Sequence, residues 1–172
     1  MSDAFLVRRA TRVDIPVIAR QRAEMFADMG VLPPEQYDAL VAESRRHLEA
    51  ALPSGEYLAW LVAPREAPDQ IVAGAGVLRR RVPPHPLRTA EGARVARGDQ
   101  AIVLNVFTER AWRRRGLARL LMEHVLRWAG DAGIETLVLH ASDDGRPLYQ
   151  ALGFVPTNEM RFQGTLPKGG PG

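Results

Sequence analysis

The stretch Asn105-Val106-Phe107-Thr108-Glu109-Arg110-Ala111-Trp112-Arg113-Arg114-Arg115-Gly116-Leu117-Ala118-Arg119 holds the chain's clearest chemical pattern. An apolar strand leads through a basic, glycine-containing loop into a helix. The first amides of a helix have no partner within it, and the helix dipole is positive at that end, so such a loop suits an anion. Gly116 removes the Cβ where a phosphate would approach the backbone, and Ala118 keeps the following turn small. Arg113, Arg114 and Arg115 add positive charge at the same place. The Gly-Lys-Ser/Thr ending of a Walker loop is missing, and only Gly116 fills a glycine position of a dinucleotide fingerprint. On spacing alone, a phosphate-bearing ligand at a helix start and a solvated cluster of arginines explain the segment equally well.

Other chemistries find little support. The absence of cysteine excludes disulfides, thiolate metal sites and a cysteine nucleophile. His47, His85, His124 and His140 lack zinc-ligand spacing, so no metal site is expected. No Gly-x-Ser-x-Gly elbow occurs, which removes that class of esterase.

The elements that must position this segment follow from periodicity. Phe5 to Arg9 reads as a first strand. Thr11, three residues before Asp14, opens a helix to about Met29, where Gly30 stops it; Ile15, Ile18, Ala19, Ala23 and Phe26 recur at helical spacing. Pro33-Pro34 begins a second helix to about Leu52, followed by a turn at Pro53-Ser54-Gly55. Residues 57–63 and 71–78 read as an antiparallel pair of strands across a polar connection. The stretch Arg79 to Gln100 holds Pro83, Pro84, Pro86, Gly92 and Gly98 with little periodicity and is expected to be a long loop, either functional or disordered.

Ala101 to Phe107 is a near-continuous apolar strand, as expected inside a sheet. Leu117, Leu120, Leu121, Val125, Trp128 and Ala129 mark one face of the helix after it, which Asp131-Ala132-Gly133 ends. Glu135 to Ala141 reads as a second buried strand and Pro147 to Leu152 as a short helix with Gly153 as a left-handed cap. Phe154-Val155 and Met160-Arg161-Phe162 read as short closing strands. The strand–helix–strand unit at 101–141 implies a right-handed parallel crossover. The fold class is therefore α/β (α+β): a mixed central sheet with helices on both faces. Residues 1–166 are expected to form one domain and 167–172 a disordered tail.

Composition agrees with an ordinary folded domain. The 172 residues are 46% hydrophobic and 25% charged, enough for a core and a polar surface. No run of about 18 apolar residues suggests a membrane helix. The N-terminus lacks the basic and apolar regions of a signal peptide, so the expected location is cytoplasmic. The net charge of +3 comes from 23 basic and 20 acidic residues, and its local feature is clustering at Arg79-Arg80-Arg81 and Arg113-Arg114-Arg115.

Arg113-Arg114-Arg115-Gly116-Leu117-Ala118 resembles the Arg/Gln-x-x-Gly-x-Gly/Ala signature of the Gcn5-related N-acetyltransferase superfamily (GNAT). The apolar strand before it, the amphipathic helix after it, and Leu148-Tyr149-Gln150-Ala151-Leu152-Gly153-Phe154 fall where that family has them. The hexapeptide is weak by itself; with the Leu-Tyr-x-x-x-Gly-Phe segment at this separation it is strong. The resemblance covers residues 101–155 by motif and the whole chain by order of elements. It implies a splayed sheet of the acyl-CoA N-acyltransferase kind, with acetyl-CoA as co-substrate and no metal. It also implies that the CoA pyrophosphate lies on the amides of Arg113 to Ala118. The pantetheine arm then pairs with Val106, Phe107 and Thr108, and the amide near Val106 polarises the thioester carbonyl. Tyr149 aligns with the family's acid, which protonates the departing thiolate; packing under Phe154 is the alternative role.

The absence of cysteine fits direct attack by an amine. Glu24, His140 and Glu109 are candidate bases, none of them forced by spacing. Asn105 stands where the family often has a polar group near the acetyl site, and its amide could hold a water or the acceptor. Ser142 or Asp143 caps the tyrosine's helix, or Ser142 or Arg146 touches the cofactor. The acceptor, an amine of a small molecule or of a protein, is expected near Met29, Tyr37 and the Arg79–Gln100 loop. A homodimer is one open assembly, and no membrane partner is expected. Two other readings stand beside the enzyme: a non-catalytic acyl-CoA sensor, and a basic nucleic-acid-binding module. The modest net charge and the lack of interleaved aromatics disfavour the module.

Overall fold

The first helix is set by its own starting sequence. In the computed structural model, which describes residues 4–89, 92–157, 159–161 and 163, strand β1 (Phe5–Arg9) turns through a 3-10 segment, Arg12–Asp14, into α1 (Ile15–Asp28). The Asp14 carboxylate accepts the Thr11 amide at 2.8 Å and both Arg8 guanidinium nitrogens at 2.7 and 2.8 Å. One buried carboxylate thus joins the end of the strand to the start of the helix. At the other end, Gly30 (φ +69°) lets its own amide reach Ala27 and that of Val31 reach Phe26, the two bonds of a Schellman cap.

After a 3-10 turn at Pro34–Gln36, α2 (Tyr37–Ser54) runs two residues past its expected end. Pro53 sits in the last turn, and left-handed Gly55 stops the helix instead. Strands β2 (Tyr57–Pro64) and β3 (Ala73–Arg81) pair antiparallel, with Tyr57 opposite Leu78. Strand β6 (Asp99–Thr108) pairs with β3, α3 (Leu117–Asp131) follows, and β7 (Thr136–Leu139) returns parallel to β6. The sheet order is β1-β2-β3-β6-β7, with β6–β7 its one parallel pair.

Alternation along β2 puts helices on both faces. Tyr57, Ala59 and Leu61 pack with Ile15, Ile18 and Ala19 of α1 and Leu48 and Ala51 of α2. Trp60, on the opposite face by the two-residue period of a strand, meets Trp128 of α3 at 5.6 Å between ring centroids. Leu121, Met122 and Val125 of α3 are completely buried, and Leu120 and Trp128 of the same helix are half-buried.

Three expectations are corrected. The Arg79–Gln100 stretch is not a loop: β3 extends to Arg81, and β4 (His85–Thr89) and β5 (Gly92–Ala96) form a two-stranded ribbon. Pro86 is tolerated there because each strand of a ribbon has an outer edge that needs no amide donor. The strand expected at Glu135 to Ala141 shortens to Thr136–Leu139 and is half-buried; among the described residues its strand partner is β6. Phe154, Val155, Met160 and Arg161 form no strand, and Phe162 lies outside the described residues. The Phe154 amide is instead committed to the carbonyl of Tyr149.

The chain folds as two compact units, Met1–His140 and Ala141–Gly172. The second contains α4 (Arg146–Ala151). The expected tail at 167–172 lies outside the described residues.

Glu135 anchors the base of the ribbon. Its carboxylate accepts Arg94 at 2.7 Å and the amides of Gly98 and Asp99 at 2.9 and 3.3 Å. Arg94 first, then these amides, hold its pKa down to about 2 against the opposing effect of desolvation. A folded pKa below the unfolded value contributes stability above about pH 4.3, and that stability is lost as pH falls towards the folded value. Glu135→Gln should therefore melt lower at neutral pH and lose less on acidification towards pH 2, read as melting temperature against pH. Parallel curves for the two proteins would refute this anchoring role.

Candidate active site

Strand β6 carries a bulge. Gly76 of β3 faces Leu104 and Gly74 faces Phe107, so Ala75 alone stands opposite both Asn105 and Val106. Asn105 takes φ +56°, in the left-handed region that asparagine tolerates better than most residues. Strand β7 accompanies β6 only from Gln100 to Val103, so β6 continues from Leu104 to Thr108 beyond that partner. The splay opens beside the bulge.

The bulge is held by a buried polar chain. The Arg22 guanidinium donates to Asn105 Oδ1 at 2.5 Å, and Asn105 Nδ2 donates to the Tyr57 hydroxyl at 2.8 Å. Arginine has only donors, so the oxygen of the amide must face Arg22 and its nitrogen must face Tyr57. Burial pushes the Tyr57 phenol up to about 12, opposed by the hydrogen bond from Asn105 and the charge of Arg22. Gly76 makes room for this chain: a Cβ there would lie 1.7 Å from the Tyr57 hydroxyl. Arg22 also lies over the Phe26 ring at 5.0 Å, and desolvation lowers its pKa.

Arg22, Tyr57 and Asn105 line a cleft of about 350 Å³. Its other polar members are Glu43, Ser44 and His47 of α2, and Leu40, Leu48, Leu78 and Leu104 make the apolar wall. The Ser44 hydroxyl is buried without a hydrogen-bond partner.

The basic loop is tied down on the side of α1. Arg110 and Arg113 both pair with Asp28, and Arg113 Nε donates to the Thr108 carbonyl at 3.0 Å. Arg110 first, then Arg113, lowers the Asp28 pKa. Glu109 accepts Arg20 at 2.5 Å and Gln21 at 3.4 Å. Arg115 lies over Trp112 at 4.8 Å, and Trp112 meets Phe5 edge-on. Arg114 is exposed and left-handed (φ +63°). Gly116 (φ +77°) opens α3 with nothing within 4 Å of an added Cβ, so the helix start faces open space. Leu117 is buried, which fixes the first turn, and Ala118 is half-buried. Such a glycine-opened start can receive an anion at its first amides.

The remaining expected residues divide by place. Phe107 is buried, and Val106 and Thr108 are half-buried along β6. Glu24 accepts the Tyr37 hydroxyl at 2.9 Å, and Met29 and His140 are exposed. In the second unit, Ser142 Oγ accepts the Gly145 amide at 3.2 Å before α4, and Arg146 pairs with Asp143 at 3.4 Å. The Gly153 and Phe154 amides bond Gln150 and Tyr149, another Schellman cap, and Tyr149 meets Phe154 edge-on at 6.1 Å. The spacing Tyr-x-x-x-Gly-Phe is that of a capped helix end whose flanking rings touch. Burial raises the Tyr149 pKa.

Sequence reasoning missed Arg22, Ser44, His47 and Tyr57. The available signal was Arg22, which interrupts the apolar stripe of α1 between Ile18 and Phe26.

A mixed sheet splayed beside a bulged strand that runs into a helix N-terminus is the architecture of the N-acetyltransferases. The acetyltransferase (GNAT) family model matches residues 24–154, and the chain belongs to that family. Among solved structures, a GCN5-related N-acetyltransferase from Ralstonia eutropha JMP134 is 27% identical at a TM-score of 0.80, over 92% of this chain and 97% of the other. A predicted acetyltransferase from Clostridium acetobutylicum, solved with acetyl-CoA, is 24% identical at a TM-score of 0.75, over 93% and 96%. An aminoglycoside N-acetyltransferase in complex with CoA shares the fold at 17% identity and a TM-score of 0.63, over 94% of each chain. No curated protein matches the chain. Among the described residues no helix is long and apolar enough to cross a membrane.

Replacing Asn105 tests the bulge. Asn105→Ala should lower the free energy of unfolding by roughly 2–4 kcal/mol, through left-handed strain and the two orphaned partners. Asn105→Gly, free of the strain, should recover roughly 1 kcal/mol. Urea melts of the three proteins measure both, and coincident melts would sink the account.

Proposed function

We propose that the protein is an acetyl-CoA-dependent N-acetyltransferase acting by direct attack of an amine within a ternary complex. The observation that carries this reading is the continuation of β6 past the end of β7, from the bulge at Asn105 into the open start of α3 at Gly116. A strand edge suits the amides of a pantetheine arm, and the helix start suits a pyrophosphate. Acetyl-CoA supplies the acetyl group as a thioester. On this reading Val106, Phe107 and Thr108 bind the arm, and the amides from Arg113 to Ala118 receive the pyrophosphate. An amide near Val106 stabilises the charge that develops on the carbonyl oxygen.

The neutral amine attacks the carbonyl carbon, forming the C–N bond while the C–S bond breaks and its electron pair goes to sulfur. Tyr149 gives its phenolic proton to that sulfur and regains one from solvent; the proton released by the nitrogen leaves through water. Burial, by raising the phenol's pKa, supports the role by keeping Tyr149 protonated at neutral pH. Asn105 then orients the acceptor or a water beside the bulge.

Tyr149→Phe is expected to lower kcat by about 10²-fold or more while the KM for acetyl-CoA changes by less than about threefold. Thiol release followed against acetyl-CoA concentration measures both. An unchanged kcat would remove Tyr149 from the mechanism.

A further inference from the structure

Arg22 differs from Arg20 and Arg113 in what it faces. Arg20, half a turn earlier on α1, has Glu109, and Arg113 has Asp28. Arg22 is half-buried in the cleft wall, yet its partners are the neutral amide of Asn105 and the Phe26 ring. Among the described residues no carboxylate pairs with it. A guanidinium taken partly out of water is stabilised by a matching anion, and its planar fork fits a carboxylate through two parallel bonds. Asn105 engages one of its nitrogens.

Two further observations bear on the same cleft. The Ser44 hydroxyl lines it, more than nine-tenths buried and without a partner, so it has a hydrogen bond to offer an occupant. Leu40, Leu48, Leu78 and Leu104 form an apolar part of the wall, which suits an apolar group, and Glu43 and His47 of α2 also line the cleft. The volume of about 350 Å³ lies at the small end of ligand pockets and suits a compact molecule rather than an oligosaccharide.

We infer that the acceptor is a free amino acid with an apolar side chain, its carboxylate held by Arg22 and Ser44 and its side chain against the four leucines. This rests on the acetyl-transfer reading above. A carboxylate on Arg22 lies next to Asn105, so the nitrogen set against the bulge is the one on the adjacent carbon, the α-amine. Cationic polyamines are disfavoured by the charge of Arg22.

The test compares leucine with leucinamide and isoamylamine as acceptors, by thiol release from acetyl-CoA. Calorimetric titration of each into the protein with CoA present provides a second readout. For the wild type, kcat/KM for leucine should exceed that for leucinamide by at least about tenfold, because a site built for a charged group rejects the analogue that lacks it. Arg22→Gln should bring that ratio close to one, a comparison made within the variant and so independent of any change in its KM for acetyl-CoA. Equal use of the three acceptors by the wild type, or equal heats for leucine and leucinamide, would overturn the assignment even if the variant fails to fold. Failure of CoA itself to bind would instead overturn the acetyl-transfer reading, so the two failures are distinguishable.

Discussion

The hydrogen-bonded chain Arg22–Asn105–Tyr57 is the interaction on which the site depends. A regular β6 would need no polar residue at this position and would keep its register with β3. The bulge instead places two residues opposite one, and a left-handed backbone at Asn105 requires compensation from its side chain. Arg22 and Tyr57 supply it from α1 and β2, and Gly76 leaves the space in which the phenol sits. The local departure from a regular ladder is thus fixed by three separate elements. That redundancy keeps the strand edge in one conformation where a thioester would have to be positioned.

Around this chain, charge is mostly used for fastening. Asp14 locks the end of β1 to the start of α1, Asp28 gathers Arg110 and Arg113, Glu109 takes Arg20, and Glu135 closes the base of the ribbon. Each carboxylate joins residues far apart in sequence or caps a turn, which sets orientation more than it adds stability. Arg22 instead faces the neutral amide of Asn105 and the Phe26 ring, and on the proposed reading this contrast connects the packing of the site to the choice of acceptor.

Much of the fold was legible because local rules and tertiary packing agree. The first strand, the Thr11–Asp14 helix start, the glycine stops at Gly30 and Gly133, and the amphipathic α3 all fall where periodicity and capping chemistry put them. The β4–β5 ribbon was not legible, since most of its residues are exposed, with Ala96 buried at its end, and so it has no run of apolar alternation to betray it. The short β7 pairs, among the described residues, with β6 from Gln100 to Val103, and its strand ends at Leu139. At the site, the glycine-opened start of α3 at Gly116 could be read from spacing, because a left-handed conformation at a helix start is a backbone property. The cleft could not, because Arg22, Ser44, Tyr57 and Asn105 are brought together from α1, α2, β2 and β6, and such convergence leaves no trace in spacing.

The pairing of Asp28 with two arginines changes what the basic loop offers at a distance. Seen as a run of letters, Arg110 to Arg115 would project a strong positive field and draw anions in from bulk solvent. Asp28, shared by Arg110 and Arg113, offsets one of these positive charges, and the remaining field is screened within about 8 Å at physiological ionic strength, so long-range steering is weaker than the run of arginines implies. On the proposed reading, capture would then depend more on the oriented amides at the start of α3, which act only over contact distance. A polyanion held there would lose less affinity to added salt than the number of arginines suggests.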